Sequence, residues 1–429
     1  MTMQIHVVKA GETLTTIAGI YGVSVTLLQR LNQVPANGAL AVGQTLVVFE
    51  NARTHVVRPG ETLYAIAHSE GVTELSLYQN NIFLNGQSDI EAGEELIVAL
   101  NEERQGTLGV NGYAYPFIRP ALLQQTLPYM TYLTPFTYGF FPTGKLVQPE
   151  DEEMLRFTSQ YEVLPWMSLS TLTERDTFDN ALGSDLLRDP QRQEVLIDSV
   201  ERVMEEKGYR GLDVDFEYLD RDLGEEYAAF ITSLRERLNP KGHPVLVALA
   251  PKSSAEQQGL LYEAHDYALL GEAANAVLLM TYEWGYTYGP PMAVAPMPQV
   301  RRVLDYALTE IPREKIFLGV PTYGYDWPLP YEKGKTKATS VSPQEALRLA
   351  RQYGAEIFYD TEAQAPYFRY TTAAGVRHEV WFEDARASLA KFTLARERGL
   401  QGVGLWNLMR SAPQTYLVLH GGFTIEKLT

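Results

Sequence analysis

The chain of 429 residues contains no cysteine. That excludes disulfides, thiolate metal sites and a cysteine nucleophile, and it leaves the redox compartment open, because a thiol-free protein survives in either. Basic residues are scarce: 36 Lys and Arg against 53 Asp and Glu give a formal charge of −17. An acidic surface repels phosphate backbones and anionic headgroups, so neither nucleic acid nor a membrane surface is an expected partner. No apolar run approaches the ~18 residues that span a bilayer. The first residues, MTMQIHVVKAGE, lack the basic and apolar regions of a secretory signal, so no Sec signal is expected. The seven histidines form no HxxH or HExxH pattern and there is no Asp-rich calcium loop, so neither a metal nor another cofactor is expected.

What the chain does contain is a duplication. HVVKAGETLTTIAGIYGV (6–23) realigns with HVVRPGETLYAIAHSEGV (55–72) at an offset of 49, with 11 of 18 positions identical. In each copy HVV reads as a short strand, and GETL opens a helix that Thr13 or Thr62 can N-cap. Apolar residues at helical spacing follow, then a second short helix and a closing strand. The expected order is β-α-α-β, over residues 4–49 and 53–99. This pattern resembles the LysM module, which binds N-acetylglucosamine-containing glycans. The resemblance implies a glycan groove built by Gly11, Thr13 and Asn32 in one copy and by Gly60, Thr62 and Asn81 in the other. A purely structural reading of the same residues, with the glycines in tight turns and the adjoining leucines in the core, stays open.

Polar residues 99–111 read as a linker. Beyond them, apolar strand-like runs alternate with amphipathic helical stretches. Strands are expected at 112–116, 130–141, 163–170, 211–217, 244–250, 277–282, 316–323 and 402–407. Eight strand-helix units predict an α/β fold, a closed (β/α)8 TIM barrel over 109–429, with reacting groups at the C-terminal strand ends. More than fifty residues separate the seventh strand from a helix expected at 382–398, and they read as an α+β insertion at about 328–381.

The sharpest signal is GLDVDFEYL (211–219). Side chains alternate along a strand, so Asp213, Asp215 and Glu217 share one face and point into the barrel. Burying three neighbouring carboxylates costs several kcal/mol unless they share protons, and crowding raises at least one pKa. A stable core does not ask for this. A general acid for glycoside cleavage does, because it must hold its proton near neutral pH. Glu217, nearest the strand end, is the expected donor.

The motif resembles the signature of glycoside hydrolase family 18, D-x-x-D-x-D-x-E, with Arg210 at the first acid's position. MTYEW (280–284) resembles the family's M-x-Y-D, with Tyr282 kept and Glu283 replacing Asp. GVGLWNL (402–408) places Trp406 where the family keeps the floor of the −1 sugar subsite. The resemblance implies substrate-assisted retention, in which the sugar's own N-acetyl carbonyl attacks C1. It casts Glu217 as acid and base, Asp215 as orienter of the acetamido group, Asp213 as proton-sharing neighbour and Tyr282 as donor to the acetamido oxygen. A distant carboxylate such as Asp326 or Glu379 is the alternative nucleophile. Glu283, Trp284, Tyr323 and Trp166 are expected to contact sugar beside Trp406, since sugar faces stack on aromatic rings.

The runs 280–296 and 378–386, with the tandem LysM units, resemble the spore-cortex N-acetylglucosaminidases of endospore-forming bacteria. That implies a monomer acting on peptidoglycan or another N-acetylglucosamine polymer, at the spore coat or cortex surface, made in the mother cell without Sec export. A chitinase acting on chitin oligomers and a non-catalytic, lectin-like glycan binder are the competing readings; the presence of Glu217 argues against the latter.

Overall fold

The computed structural model describes residues 3–101, 103–172 and 179–428. Eight parallel strands close into a barrel: Thr107–Ala114, Tyr132–Pro135, Leu164–Ser170, Gly211–Asp215, Val245–Leu249, Ala276–Leu279, Ile316–Pro321 and Gly402–Trp406. The eighth strand pairs back onto the first, with Gly404 opposite Asn111, so no barrel edge is left to solvent. The short strand Thr424–Ile425 adds to the outer end of the first. Parallel strands need crossovers, and amphipathic helices such as Pro190–Lys207, Gly224–Leu238 and Met297–Glu310 supply them, each burying one apolar face.

Several expected boundaries move. The second strand stops at Pro135 instead of 141 and the sixth at Leu279 instead of 282. The first strand starts at Thr107, so the linker is shorter than 99–111; Glu102 within it lies outside the described residues. The fourth strand ends at Asp215, leaving Glu217 in the loop just beyond. The insertion begins at Gly324 and forms a five-stranded antiparallel sheet with the helix Pro343–Tyr353. Its last strand runs to Trp381, and Asp384 accepts from the N–H groups of Arg386 and Ala387, so the next helix starts at Ala385 instead of 382.

Each N-terminal repeat is β-α-α-β. In the first, Met3–Val7 pairs antiparallel with Thr45–Phe49 around the helices Leu14–Tyr21 and Val25–Leu31. In the second, Arg53–Val56 pairs with Glu95–Ala99 around Leu63–Glu70 and Glu74–Asn80. Thr13 and Thr62 are the N-caps, and Gly22 and Gly71 end the first helices in the left-handed conformation that glycine adopts without penalty.

The repeats dock on the barrel. Thr45 donates to Gln414 Oε1 at 2.7 Å, and Gln414 Nε2 donates to Thr45 O at 2.6 Å and to Asn32 Oδ1 at 3.2 Å. Gly43 passes so close to the insertion that a Cβ there would lie 1.9 Å from Ile357 O. In the second repeat, Gln79 Nε2 donates to Pro128 O at 2.8 Å and the Tyr129 hydroxyl to Gln79 O at 2.9 Å. His420 Nε2 pairs with Asn80 Oδ1 at 2.8 Å. Residues of both repeats share one buried apolar cluster with the barrel. Among the described residues, no helix is long and apolar enough to cross a membrane.

Candidate active site

The fourth strand carries the acids into the barrel mouth as alternation requires. Leu212, Val214 and Phe216 are fully buried under the helices, and Asp213, Asp215 and Glu217 face the opposite way. Asp213 is the deepest, 1 % exposed; its Oδ2 accepts from the Tyr113 hydroxyl at 2.6 Å. Burial pushes the Asp213 carboxyl up to about 7, although the Tyr113 hydroxyl acts the other way. Asp215 is raised well above the usual carboxylate range by burial, then by the charges of Glu217 and Asp213. Burial also raises Glu217. Asp213 Oδ1 and Asp215 Oδ1 are both buried without a hydrogen-bond partner. Burial and crowding thus favour the protonated forms within this cluster.

Tyr282 rises from the end of the sixth strand beside this cluster. Burial, then the fields of Asp215, Glu217 and Asp213, keep its hydroxyl protonated and therefore a donor. Glu283, at φ +64°, accepts hydroxyls from Tyr323 and from Tyr325, the latter at 3.1 Å to both carboxylate oxygens. Tyr323 thus fixes Glu283 while lining the cleft. Trp406, the last residue of the eighth strand, stacks 6.4 Å from Tyr282 at an interplanar angle of 13° and is braced edge-on by Phe136 at 4.9 Å.

Two cavities meet at Glu283. One, of about 470 Å³, is lined by Glu217, Tyr218, Tyr262, Tyr282, Trp284 and Tyr286; the other, of about 400 Å³, lies over Trp406 and is lined by Tyr115, Phe117, Tyr323, Tyr325 and Arg410. Together they form a trough with room for sugar on both sides of the acids. Asp326 and Glu379 are committed inside the insertion, to His378 and Tyr370 and to Trp381 and Arg369 respectively. Among the described residues, no group of three acids or histidines is arranged to hold a metal ion.

Three expected contact residues lie elsewhere. Trp166 sits near the N-terminal end of the third strand, 2 % exposed, its ring tilted against Tyr132 at 4.3 Å between centroids and edge-on to Phe317. A Cβ on Gly211 would meet its Nε1 at 2.6 Å, so the ring plugs the barrel floor, away from the cleft. Asn32 and Asn81 are buried clamps. Asn32 Nδ2 donates to Leu28 O and Val47 O, and its Oδ1 accepts from Val47 N; Asn81 does the same with Leu77 O, Ile97 O and Ile97 N. Gly11, Thr13, Gly60 and Thr62 remain at the surface.

Sequence reasoning missed Tyr113, Tyr115, Phe117, Tyr286 and Arg410. Tyr113 stands in no motif, and only its place at the C-terminal end of the first strand could have flagged it.

Comparisons with known proteins show the family and the fold. The model of the glycosyl hydrolases family 18 matches residues 166–410, and that of the LysM domain matches 6–49 and 55–99. The chain is 41% identical over 442 residues to the cortical fragment-lytic enzyme of Bacillus subtilis, covering 100% of both chains. The crystal structure of the Bacillus cereus spore cortex-lytic enzyme SleL superposes with a TM-score of 0.84 at 34% identity, covering 100% of this chain and 99% of that one. A chitinase from Chromobacterium violaceum shares the fold at 24% identity and TM-score 0.67, over 73% of this chain and 98% of its own. The chain belongs to the glycosyl hydrolases of family 18, with two LysM domains ahead of its barrel.

Proposed function

We propose that this chain is an N-acetylglucosaminidase that hydrolyses β-1,4 bonds in spore-cortex peptidoglycan fragments, with its LysM domains holding glycan. The observation that carries the reading is the buried acid cluster: Asp213, Asp215 and Glu217 on one face, the proton affinity of each raised by burial, beneath a trough floored by Trp406. Full-length similarity to the cortical fragment-lytic enzyme of Bacillus subtilis supports the substrate.

In this mechanism the −1 N-acetylglucosamine sits on Trp406. Glu217 gives its proton to the bridging oxygen as the acetamido oxygen attacks C1 and the aglycone leaves. Tyr282 donates to that acetamido oxygen, and Asp215, with Asp213 sharing a proton behind it, offsets the positive charge of the oxazolinium ring. Glu217, now a carboxylate, takes a proton from water as it attacks C1, restoring the acid and retaining the anomeric configuration. A preorganised carboxylate acts strongly here because Asp215 is buried and fixed in place before the charge develops. Glycan held by the LysM domains raises the local concentration of cleavable bonds without changing the chemistry. Action at the spore, as a monomer, is the setting this reading implies.

The test is to incubate purified protein with cortex fragments and analyse new reducing ends by mass spectrometry, comparing wild type with Glu217→Gln. Release of N-acetylglucosamine ends by wild type alone, with glycan binding kept in the variant, supports the proposal. Turnover of chitin oligomers without cortex fragments would replace it with a chitinase, and binding without any cleavage would replace it with a lectin.

A further inference from the structure

The donor marks direction in the trough. Glu217 protonates the leaving oxygen, so the cavity it shares with Tyr218, Tyr262 and Tyr286 receives the aglycone, and the cavity over Trp406 receives the glycone. The trough carries four acids, and Arg410 is the one cation among the described residues lining the glycone cavity. It follows the eighth strand by four residues, is exposed, and makes no ion pair among the described residues. Arginines on the nearby insertion and the helix after it are committed, Arg369 to Glu379 and Arg386 to Asp384, each at 2.7 Å. The charge of Arg410 reaches the Tyr325 hydroxyl, which donates to Glu283.

We propose that Arg410 is the anchor for a carboxylate on the glycone side of the scissile bond, carried by the lactyl arm of a muramoyl residue or by a short peptide attached to it. This rests on the peptidoglycan reading above. A neutral N-acetylglucosamine polymer needs rings and hydroxyl partners there, which Tyr115 and Phe117 and the tyrosines provide; its oxygens accept hydrogen bonds but bring no charge to pair with a guanidinium. In peptidoglycan, alternation puts a muramoyl sugar next to the N-acetylglucosamine whose acetamido group reacts, and its acid matches the planar two-pronged donor of arginine. Muramic lactam, whose carboxyl is closed as an amide, lacks that group. Arg410 would therefore favour acid-bearing over lactam sugars at this position.

The test uses tetrasaccharides of alternating muramoyl and N-acetylglucosamine residues, cleaved at the central bond. The non-reducing muramoyl carries a free lactyl acid, an L-alanine or a lactam; an N-acetylglucosamine tetramer is the neutral control. Arg410→Ala is expected to raise KM about five- to tenfold on acid-bearing substrates, with kcat within about twofold and no change on the lactam or the tetramer. Arg410→Lys should fall between. Salt of about 1 M, where screening acts within ~3 Å, should remove most of the wild-type preference. A loss confined to the free-acid or to the alanyl substrate identifies which carboxylate is bound. An equal loss on all four substrates, or none on any, overturns the assignment. Wild type that cleaves the tetramer but no muramoyl substrate overturns the peptidoglycan reading itself, and the assignment with it.

Discussion

Asn32 and Asn81 of the LysM domains and Asp213 and Asp215 of the barrel are buried polar side chains whose hydrogen bonding is opposite. Asn32 and Asn81 are 1 % and 0 % exposed, and each makes three hydrogen bonds to main-chain groups of its own module. Asp213 is as deeply buried, yet one of its oxygens has no partner, and neither does one of Asp215. A saturated buried amide fixes geometry: it ties the second helix to the closing strand. An unsaturated buried carboxylate keeps a high proton affinity and a free acceptor, which substrate can use. At these four residues burial alone does not distinguish structure from function; saturation does.

The sharpest way to break this comparison is Asp215→Asn. If the unpaired carboxylate works by balancing charge that exists only during reaction, turnover should fall about 10²–10³-fold, the size found when a preorganised electrostatic partner is lost. Thermal stability should not drop, because no satisfied bond is removed. Steady-state kinetics beside a melting curve checks both. Asn81→Ala should do the reverse. It removes the side-chain bonds to Ile97 N, Ile97 O and Leu77 O, of which Leu77 O keeps the main-chain N–H of residue 81. Loss on the order of 2–4 kcal/mol of local stability is expected. Faster hydrogen exchange across Glu74–Asn80 and Glu95–Ala99, with kcat on soluble fragments unchanged, is the expected pattern.

The same distinction explains how much was legible in the sequence. Strand-helix alternation and the acids at i, i+2 and i+4 are local patterns, and they held. Glu217 lay past the strand end, yet the pattern placed it with its neighbours. Asn32 and Asn81 misled because saturation depends on strands 15 or 16 residues away, and no residue type announces it. Trp166 misled for a different reason: aromatic character suggested sugar, while strand polarity, which puts chemistry at the C-terminal ends, argued for the floor. Docking of the LysM domains was invisible, since Gln414, His420 and Tyr129 are isolated polar or aromatic residues whose partners lie up to 382 positions away.

Asp213→Asn sharpens the comparison through pH. The Asp213 carboxyl is raised to about 7 in the fold from 3.8. Below pH ~4 both states hold the proton and the group is neutral in its effect on stability. As pH rises toward 7 the unfolded chain releases a proton that the folded chain keeps, so stability falls across that window and is flat above it. Removing the acid should therefore raise stability by about 1–3 kcal/mol at pH 8 and by much less at pH 4, while impairing turnover. Denaturation at the two pH values checks the sign. A variant less stable at pH 8 than wild type would mean that the Tyr113 bond outweighs burial.

The smallest expected effect tests the exposed counterparts of the clamps. Thr62 accepts from Ala65 N at 3.2 Å as the N-cap of Leu63–Glu70, and its exposure also leaves it available to glycan. Thr62→Ala should cost ~1 kcal/mol through the lost cap, and Thr62→Ser should restore it, because serine keeps the accepting oxygen. Glycan retention on insoluble cortex separates the two roles. If Thr62 only shapes the loop, binding recovers with stability in the serine variant. If the threonine methyl itself touches sugar, stability recovers and binding does not, which would place function on a saturated residue and weaken the rule that saturation marks structure.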